Sequence, residues 1–312
     1  MNTATLLQAG AVLCVAALQA APTSADAQCP SIAPEVRDVL VAMAGNAQRV
    51  DYSGIVTLQR GSDMQIVEVS HKVVEGTATE QLSRLTGQDA RVRREAHPIT
   101  CLHPGQELLR AQLIPDGAAC GLGAVYEFRL GPGERIAGRE ALRLRVEPRD
   151  MYRYGYVFEL DRDTALMLKA TTFAEDQRVL EQFQFASLQV EAQSAHATAL
   201  VHEAGHPHPQ ENAAAETGPA WDISWLPGGF LATDAAPVVA QRKSYTDGLA
   251  SFSVFLEPLG ASIQPGEGLQ REGSTVAYTR GVVLEQRPVL ITVIGEIPIN
   301  TARMVADSVR LR

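Results

Sequence analysis

The chain lacks several features that would assign a function directly. Beyond its N-terminus, its 312 residues contain no uninterrupted apolar run of about 20 residues, so we expect no transmembrane helix in the mature protein. It contains no Gly-x-Ser-x-Gly sequence and no phosphate-binding loop, and we predict neither catalytic activity nor a cofactor. Positive charge is also in deficit, since the formal net charge is −9, which argues against nucleic acid as a partner.

The N-terminus nevertheless predicts export. Residues 9–21 are apolar and mostly small, and Ala25-Asp26-Ala27 is a small-x-small cleavage site, so residues 1–27 form a predicted signal peptide. Residues 1–8 contain no Lys or Arg, which leaves a buried helix or a misplaced start codon as alternatives. Cys29 permits a lipoprotein interpretation, but the sequence before it lacks the Leu and small residues of a lipid-attachment box.

Few cysteines would remain after cleavage, namely Cys29, Cys101 and Cys120. An oxidising compartment permits a disulfide, but three thiols cannot all pair. We predict a bridge between Cys101 and Cys120, which would close a loop containing Gly and Pro and stabilise by about 3 kcal/mol in the chain-entropy model. Three free thiols are the alternative.

The composition is that of an ordinary globular protein, with 46% hydrophobic and 20% charged residues, and the length suggests about two domains. Residues 193–219 hold Ala, His, Pro, Gln and Glu with almost no large apolar residue, which is typical of a linker. We therefore predict an N-terminal domain at residues 28–192 and a C-terminal domain at residues 220–312.

Four of the seven histidines lie in this predicted linker, at His196, His202, His206 and His208. Imidazoles that lie close together can bind a transition metal. The neighbouring sequence supplies no Cys and no preorganised fold, so a polar tether is the simpler interpretation and we predict no metal site.

The pattern of apolar residues predicts one helix and then many strands in the N-terminal domain. Pro34 and Glu35 suit the first turn of a helix, and apolar residues follow at helical spacing as far as Met43. From about residue 51 apolar and polar residues alternate, which predicts a large, curved antiparallel sheet with one solvated face. The C-terminal domain shows strand-like runs and then a helix beginning at Pro298, so both domains are predicted to be α+β.

Four regions of the sequence resemble the RseB/MucB family of sigma-E regulators. They are Tyr52-Ser53-Gly54 with Gln59-Arg60-Gly61; Gly138-Arg139-Glu140-Ala141 with Pro148-Arg149-Asp150-Met151-Tyr152-Arg153-Tyr154-Gly155-Tyr156; Trp225-Leu226-Pro227-Gly228-Gly229-Phe230 with Tyr245-Thr246-Asp247-Gly248-Leu249-Ala250-Ser251-Phe252-Ser253-Val254-Phe255-Leu256-Glu257-Pro258; and Val293-Ile294-Gly295-Glu296-Ile297-Pro298. Each region alone is a weak signal. Their order along nearly the whole mature chain makes the resemblance specific.

The resemblance implies a large N-terminal unclosed antiparallel β-barrel with helices, like the lipoprotein carriers LolA and LolB, and a smaller C-terminal α+β domain. It also implies a periplasmic negative regulator of the sigma-E envelope stress response. Such a regulator binds the periplasmic domain of an RseA/MucA-like membrane anti-sigma factor and shields it from site-1 proteolysis. Lipopolysaccharide or lipoprotein acyl chains would release it. A periplasmic lipid or lipoprotein carrier is the alternative, although a carrier would not need the C-terminal domain; homo-oligomerisation is left open.

Aromatic residues on the predicted strands are the candidate lining of a lipid pocket. Tyr152, Tyr154, Tyr156 and Phe158 fall at a spacing of two, which would place them on one face of a sheet. An unclosed barrel lined in this way would offer an apolar cavity for acyl chains, and an ordinary core is the alternative. The full candidate set is Tyr52, Tyr152, Tyr154, Tyr156, Phe158, Phe173, Phe183 and Phe185.

Candidate partner contacts lie on a hairpin-like segment and on a run of arginines. Phe252 and Val254 share one strand face and Phe255 takes the other, so we expect one phenylalanine in the core and the other against a partner. Arginines bind acidic side chains or lipid phosphates in bidentate fashion, and a solvated strand face is the alternative. The full set is Tyr245, Asp247, Phe252, Val254, Phe255, Arg149 and Arg153, and the arginine run also includes Arg139, Arg143 and Arg145.

Overall fold

The structure is a computed structural model that describes residues 32–46, 50–74, 77–87, 91–98, 121–191, 221–233, 242–259 and 266–311. The predicted signal peptide, the predicted Cys101–Cys120 disulfide and the predicted linker lie outside these residues. We call the described residues up to 191 the N-terminal unit and those from 221 onward the C-terminal unit, because each is built around its own large sheet.

The N-terminal unit is a nine-stranded antiparallel sheet with a helix packed on one face. Helix α1 spans Pro34–Asn46, and the short helix α2 spans Gly121–Val125. The strands are β1 Tyr52–Arg60, β2 Asp63–Val74, β3 Thr77–Arg84, β4 Arg91–Pro98, β5 Tyr126–Ile136, β6 Arg139–Pro148, β7 Gly155–Asp161, β8 Met167–Phe173 and β9 Val179–Val190. They pair in the order β4-β3-β2-β1-β9-β8-β7-β6-β5. Among the described residues the edge strands β4 and β5 do not pair with each other, so the sheet is not closed into a barrel.

Alternation along the strands separates an apolar face from a polar face. On β6, Leu144 and Val146 are buried in a core that also contains Leu40 of helix α1. Arg143 and Arg145 alternate with them and therefore lie on the opposite face. The apolar face is thus the one that helix α1 covers.

The C-terminal unit contains a six-stranded antiparallel sheet, a small two-stranded sheet and one helix. Its strands are β10 Trp221–Ile223, β11 Leu231–Ala232, β12 Arg242–Thr246, β13 Ser251–Pro258, β14 Glu267–Glu272, β15 Thr275–Leu284, β16 Arg287–Gly295 and β17 Val309–Leu311. The large sheet has the order β11-β12-β13-β16-β15-β14, and β10 pairs with β17. Helix α3, Ile299–Asp307, follows Pro298 as predicted and buries Ala302, Val305 and Ala306 against the large sheet.

The described chain is therefore mostly β-sheet with few helices, which agrees with the predicted predominance of antiparallel strands. No helix in the described ranges is both long enough and apolar enough to cross a membrane.

Candidate functional site

Segments from three of the family-like regions meet where the two units touch. We call this contact the junction and define its centre by Tyr126, Arg153, Gly228, Asp247 and Ile297. Tyr126 and Arg153 belong to the N-terminal unit and the other three residues to the C-terminal unit. The hydrogen bonds between these residues cross the junction, so residues far apart in sequence form one site.

A buried ion pair lies at the centre of the junction. Arg153 Nη1 lies 2.7 Å from Asp247 Oδ2, and both side chains are 0% exposed. The guanidinium also donates through Nε to Asp150 Oδ1 at 3.0 Å and through Nη2 to the carbonyl oxygen of Gly228. It packs over the ring of Phe230, with Cζ 5.1 Å from the ring centroid. Because buried charges are costly unless paired and hydrogen-bonded, this network stabilises Arg153 only while the units are together.

The two oxygens of the Asp247 carboxylate have different roles, one in the turn that contains Asp247 and the other in the junction. Its Oδ1 accepts hydrogen bonds from the backbone amides of Leu249 at 2.9 Å and Ala250 at 2.8 Å, which closes its own turn. Its Oδ2 accepts from Arg153 and from the Tyr126 hydroxyl, which lies 2.9 Å away. Burial raises the pKa of Asp247, and the positive charge of Arg153 offsets this only in part. Burial, and next the negative charge of Asp247, raise the pKa of Tyr126 well above its ordinary value.

The Gly228-Gly229 turn brings the C-terminal unit close to helix α2. Gly229 has φ +86, a conformation that favours glycine, and a Cβ atom there would lie 3.0 Å from Val125 Cγ1. A side chain at this position would therefore be strained and would crowd the helix, which gives a physical reason for the second glycine of the Trp225–Phe230 stretch.

Two tyrosines predicted to line a lipid pocket make contacts across the junction. The Tyr154 hydroxyl donates to the carbonyl oxygen of Ile297 at 3.1 Å. The carbonyl oxygen of Tyr152 accepts a hydrogen bond from the Thr301 hydroxyl at 3.1 Å. The Tyr152 ring meets the Trp225 ring edge-on, with the ring centroids 5.3 Å apart. Tyr152 leaves the predicted common face because β7 begins only at Gly155 and Tyr152 lies in the preceding bend.

A second set of charges lies at the solvated rim of the junction. Arg60 Nη1 lies 3.1 Å from Glu272 Oε1, and Arg60 Nε lies 3.7 Å from Glu181 Oε2. The side chains of Arg60 and Glu272 are 44% and 62% exposed. Glu181 also accepts a hydrogen bond from the backbone amide of Ser274. Burial, followed by the charge of Glu181, raises the pKa of the half-buried Glu296.

Most of the predicted partner contacts already have contacts inside the protein. Tyr245, Phe252 and Val254 are buried in the C-terminal core, and Asp247 and Arg153 bind each other. Arg149 Nε donates to the carbonyl oxygens of Gly123 and Tyr126. Phe255 is half-buried on the other sheet face, so of the two phenylalanines it is the one with surface to offer a partner.

Apart from Tyr152, the lipid-pocket candidates divide into three places rather than lining one cavity. Tyr154, Tyr156 and Phe158 lie in the main N-terminal core, and the rings of Tyr156 and Phe158 are stacked. A second cluster contains Tyr52, Phe183 and Phe185. Phe173 lies on the polar face of the sheet, since its ring covers Gly155 and lies beneath the guanidinium of Arg145.

The other arginines of the run have acidic partners within the protein. Arg139 binds Asp161 in bidentate fashion with both distances 2.8 Å. Arg143 Nε lies 2.6 Å from Glu159 Oε1, and Arg145 Nε lies 2.7 Å from Glu147 Oε1. Burial raises the pKa of Asp161, but the hydrogen bonds from Arg139 and Thr164 outweigh it and the net shift is downward. This arginine run is therefore largely neutralised by its neighbours.

One motif that is typical of a catalytic class does occur in the sequence, although we predict no catalytic activity. His202-Glu203-Ala204-Gly205-His206 matches the His-Glu-x-x-His pattern of zinc metalloproteases. That chemistry needs a helix that places both histidines on one face. The motif lies outside the described residues, and no group of metal ligands is found in the part of the chain that the structure describes.

Comparison with known proteins gives matches along the whole chain. The family described as MucB/RseB N-terminal domain matches residues 35–204, and the MucB/RseB C-terminal domain matches residues 215–310. The sigma factor AlgU regulatory protein MucB of Pseudomonas aeruginosa is 33% identical over 324 residues, which cover 99% of this chain and 97% of that protein. The sigma-E factor regulatory protein RseB of Escherichia coli K12 is 25% identical, covering 77% of this chain and 79% of the relative.

Solved structures of MucB match as well. The complex of Pseudomonas aeruginosa MucA and MucB has a TM-score of 0.66 at 32% identity and covers 89% of this chain and 99% of the matched chain. A crystal structure described as MucB, with no partner named, has a TM-score of 0.60 at 30% identity, and the match covers 90% of this chain and 99% of the matched chain.

Proposed function

The chain belongs to the MucB/RseB family, and on that basis we propose that it is a regulator that binds the periplasmic domain of an RseA/MucA-like membrane anti-sigma factor. The observation that carries this proposal is the match, over most of both chains, to MucB in its complex with MucA. The names of the relatives describe regulatory proteins, and they support a regulator rather than an enzyme.

The regulator acts negatively on the sigma-E envelope stress response. Its bound form shields the anti-sigma factor from site-1 proteolysis, so the sigma factor stays sequestered while the complex lasts. The predicted signal peptide at residues 1–27 supports a periplasmic location, the compartment of the partner's periplasmic domain.

Lipid or lipoprotein acyl chains release the complex by binding the N-terminal unit, which acts as an unclosed barrel of the LolA/LolB kind. The aromatic cluster of Tyr154, Tyr156 and Phe158 beneath helix α1 supports this assignment, because it is the apolar face of the large sheet. The separate match to a C-terminal family domain favours a regulator over a carrier.

The partner contact lies on the face of the C-terminal sheet opposite helix α3. Phe255, Thr292 and Ile294 share that face by register and alternation, and none of them is fully buried. Ile294 is 40% exposed, so the face offers apolar area to a partner.

Two phenylalanine variants test this assignment against the affinity for the anti-sigma factor's purified periplasmic domain. Phe255→Ala is expected to weaken binding about thirtyfold, since truncating an aromatic anchor costs about 2 kcal/mol at an interface. Phe252→Ala is expected to lower the melting temperature, because it removes a buried core ring at a cost of about 3–5 kcal/mol. Isothermal titration and thermal unfolding are measured on both variants.

The control is Leu269→Ala, which truncates an exposed apolar residue of edge strand β14. Equal affinities for Phe255→Ala, Leu269→Ala and the unmodified protein would remove the contact from this face. No binding by the unmodified protein would reject the proposed function itself.

A further inference from the structure

One carboxylate accepts two of the hydrogen bonds that cross the centre of the junction. Both donors that reach Asp247 Oδ2, the Arg153 guanidinium and the Tyr126 hydroxyl, come from the N-terminal unit. Asp247 itself is fixed within the C-terminal unit by the amides of its own turn. Asp247 Oδ2 is therefore the one acceptor at the centre of the junction that joins two side chains of the N-terminal unit to the C-terminal unit.

A buried ion pair of this kind fixes geometry more than it adds stability. Removing two charges from water is costly, and their attraction in a dry site does not always offset that cost. Burial raises the pKa of Asp247, whereas burial lowers the pKa of Arg153 but the charge of Asp247 and its other partners raise it on balance, so both burial and attraction act strongly at this pair. When the units separate, water would solvate both charges again, although the apolar contacts beside them, such as Leu249 against the N-terminal core, would be lost.

Two solved structures of MucB can be compared with this chain as a whole. The match to MucB in its complex with MucA is closer than the match to the MucB structure for which no partner is named.

We propose that Asp247 is a positioning residue: together with Arg153 and Tyr126 it holds the two units in one orientation, and that orientation is the one that binds the anti-sigma factor. The second half of this statement rests on the proposed function, whereas the first half does not. Asp247 and Arg153 are fully buried in this arrangement, so they act by placing the two units and not by touching the partner.

The test uses Asp247→Asn in the full-length purified protein. The amide keeps the shape of the side chain and an oxygen for the turn, but it removes the charge that pairs with Arg153. The matched control is Asp161→Asn, which removes an equally buried carboxylate from a bidentate pair with Arg139 inside the N-terminal unit. Small-angle X-ray scattering reports the radius of gyration, and titration with the anti-sigma factor's periplasmic domain reports affinity.

We expect Asp247→Asn to have a larger radius of gyration than the unmodified protein and at least about tenfold weaker binding, because apparent affinity falls with the fraction of molecules in the binding orientation. Asp161→Asn is expected to change neither quantity. If Asp247→Asn does not fold, Tyr126→Phe removes a single donor to the same oxygen and is expected to shift both quantities in the same direction.

Unchanged scattering would overturn the positioning role, whatever happens to affinity. A larger radius of gyration with unchanged affinity would overturn the assignment of this orientation to the bound state. If the unmodified protein does not bind at all, the proposed function fails, and scattering still decides whether Asp247 positions the units.

Discussion

The centre and the rim of the junction both contain ion pairs between arginine and a carboxylate, but the pairs differ in their exposure to water. At the centre, Arg153 and Asp247 form an ion pair that water does not reach. At the rim, Arg60 pairs with Glu272 and Glu181, and the pair with Glu272 is largely exposed. Exposed pairs contribute little because water and salt screen them, whereas a buried partner that loses its counterion is left uncompensated. The comparison indicates that the centre determines orientation and the rim does not.

The largest effect is expected for Arg153→Met. Methionine keeps the apolar length of the side chain but leaves the Asp247 carboxylate buried without its cation, at a cost of about 3–5 kcal/mol in the free energy of unfolding. Chemical denaturation measures this loss. The double variant Arg153→Met/Asp247→Asn removes both charges and is expected to recover most of it, since replacing a whole buried pair is often neutral. Additive losses in the double variant would mean that the two residues do not act as a pair.

A smaller, pH-dependent effect is expected for Glu296→Gln at the rim. Because burial and Glu181 raise the pKa of Glu296, the folded protein holds this proton more tightly than the unfolded chain does. The resulting loss of stability begins as pH rises through the unfolded value of about 4.3 and is complete above the folded pKa. Glutamine removes that loss, so the variant should be more stable than the parent at pH 7 and equal to it near pH 3. A stabilisation of the same size at both pH values would show that the charge is not responsible.

The smallest effect is expected for Arg60→Ala. Its ion pairs are partly exposed, so we expect a change of less than about 1 kcal/mol in unfolding free energy, and less still in high salt. Denaturation at low and high ionic strength measures it. A loss as large as that of Arg153→Met would remove the distinction between centre and rim.

The sequence was informative where structure is local. The spacing of apolar residues predicted helix α1, the alternating strands and the helix after Pro298, because these patterns reflect which side of an element is buried. The opposite faces of Phe252 and Phe255 followed from strand alternation in the same way.

The junction was not predictable by the same reasoning. Arg153 and Asp247 are 94 positions apart in the sequence. The residues around each of them give no indication that the two side chains pair. Both were predicted to contact a separate protein, Arg153 because arginines bind acidic groups and Asp247 because it lies on the hairpin-like segment. Tyr152 left the predicted aromatic face because a bend, rather than a strand, precedes Gly155. Such contacts depend on how two sheets are placed, which a local pattern does not contain.

The most direct test of the orientation claim is the scattering of Asp247→Asn at saturating concentrations of the anti-sigma factor's periplasmic domain. If the partner binds only the orientation seen here, linkage requires that binding restore that orientation in the variant. We predict that the scattering of the bound variant becomes the same as that of the bound unmodified protein. A variant complex that stays more extended than the unmodified complex at full occupancy would contradict the claim.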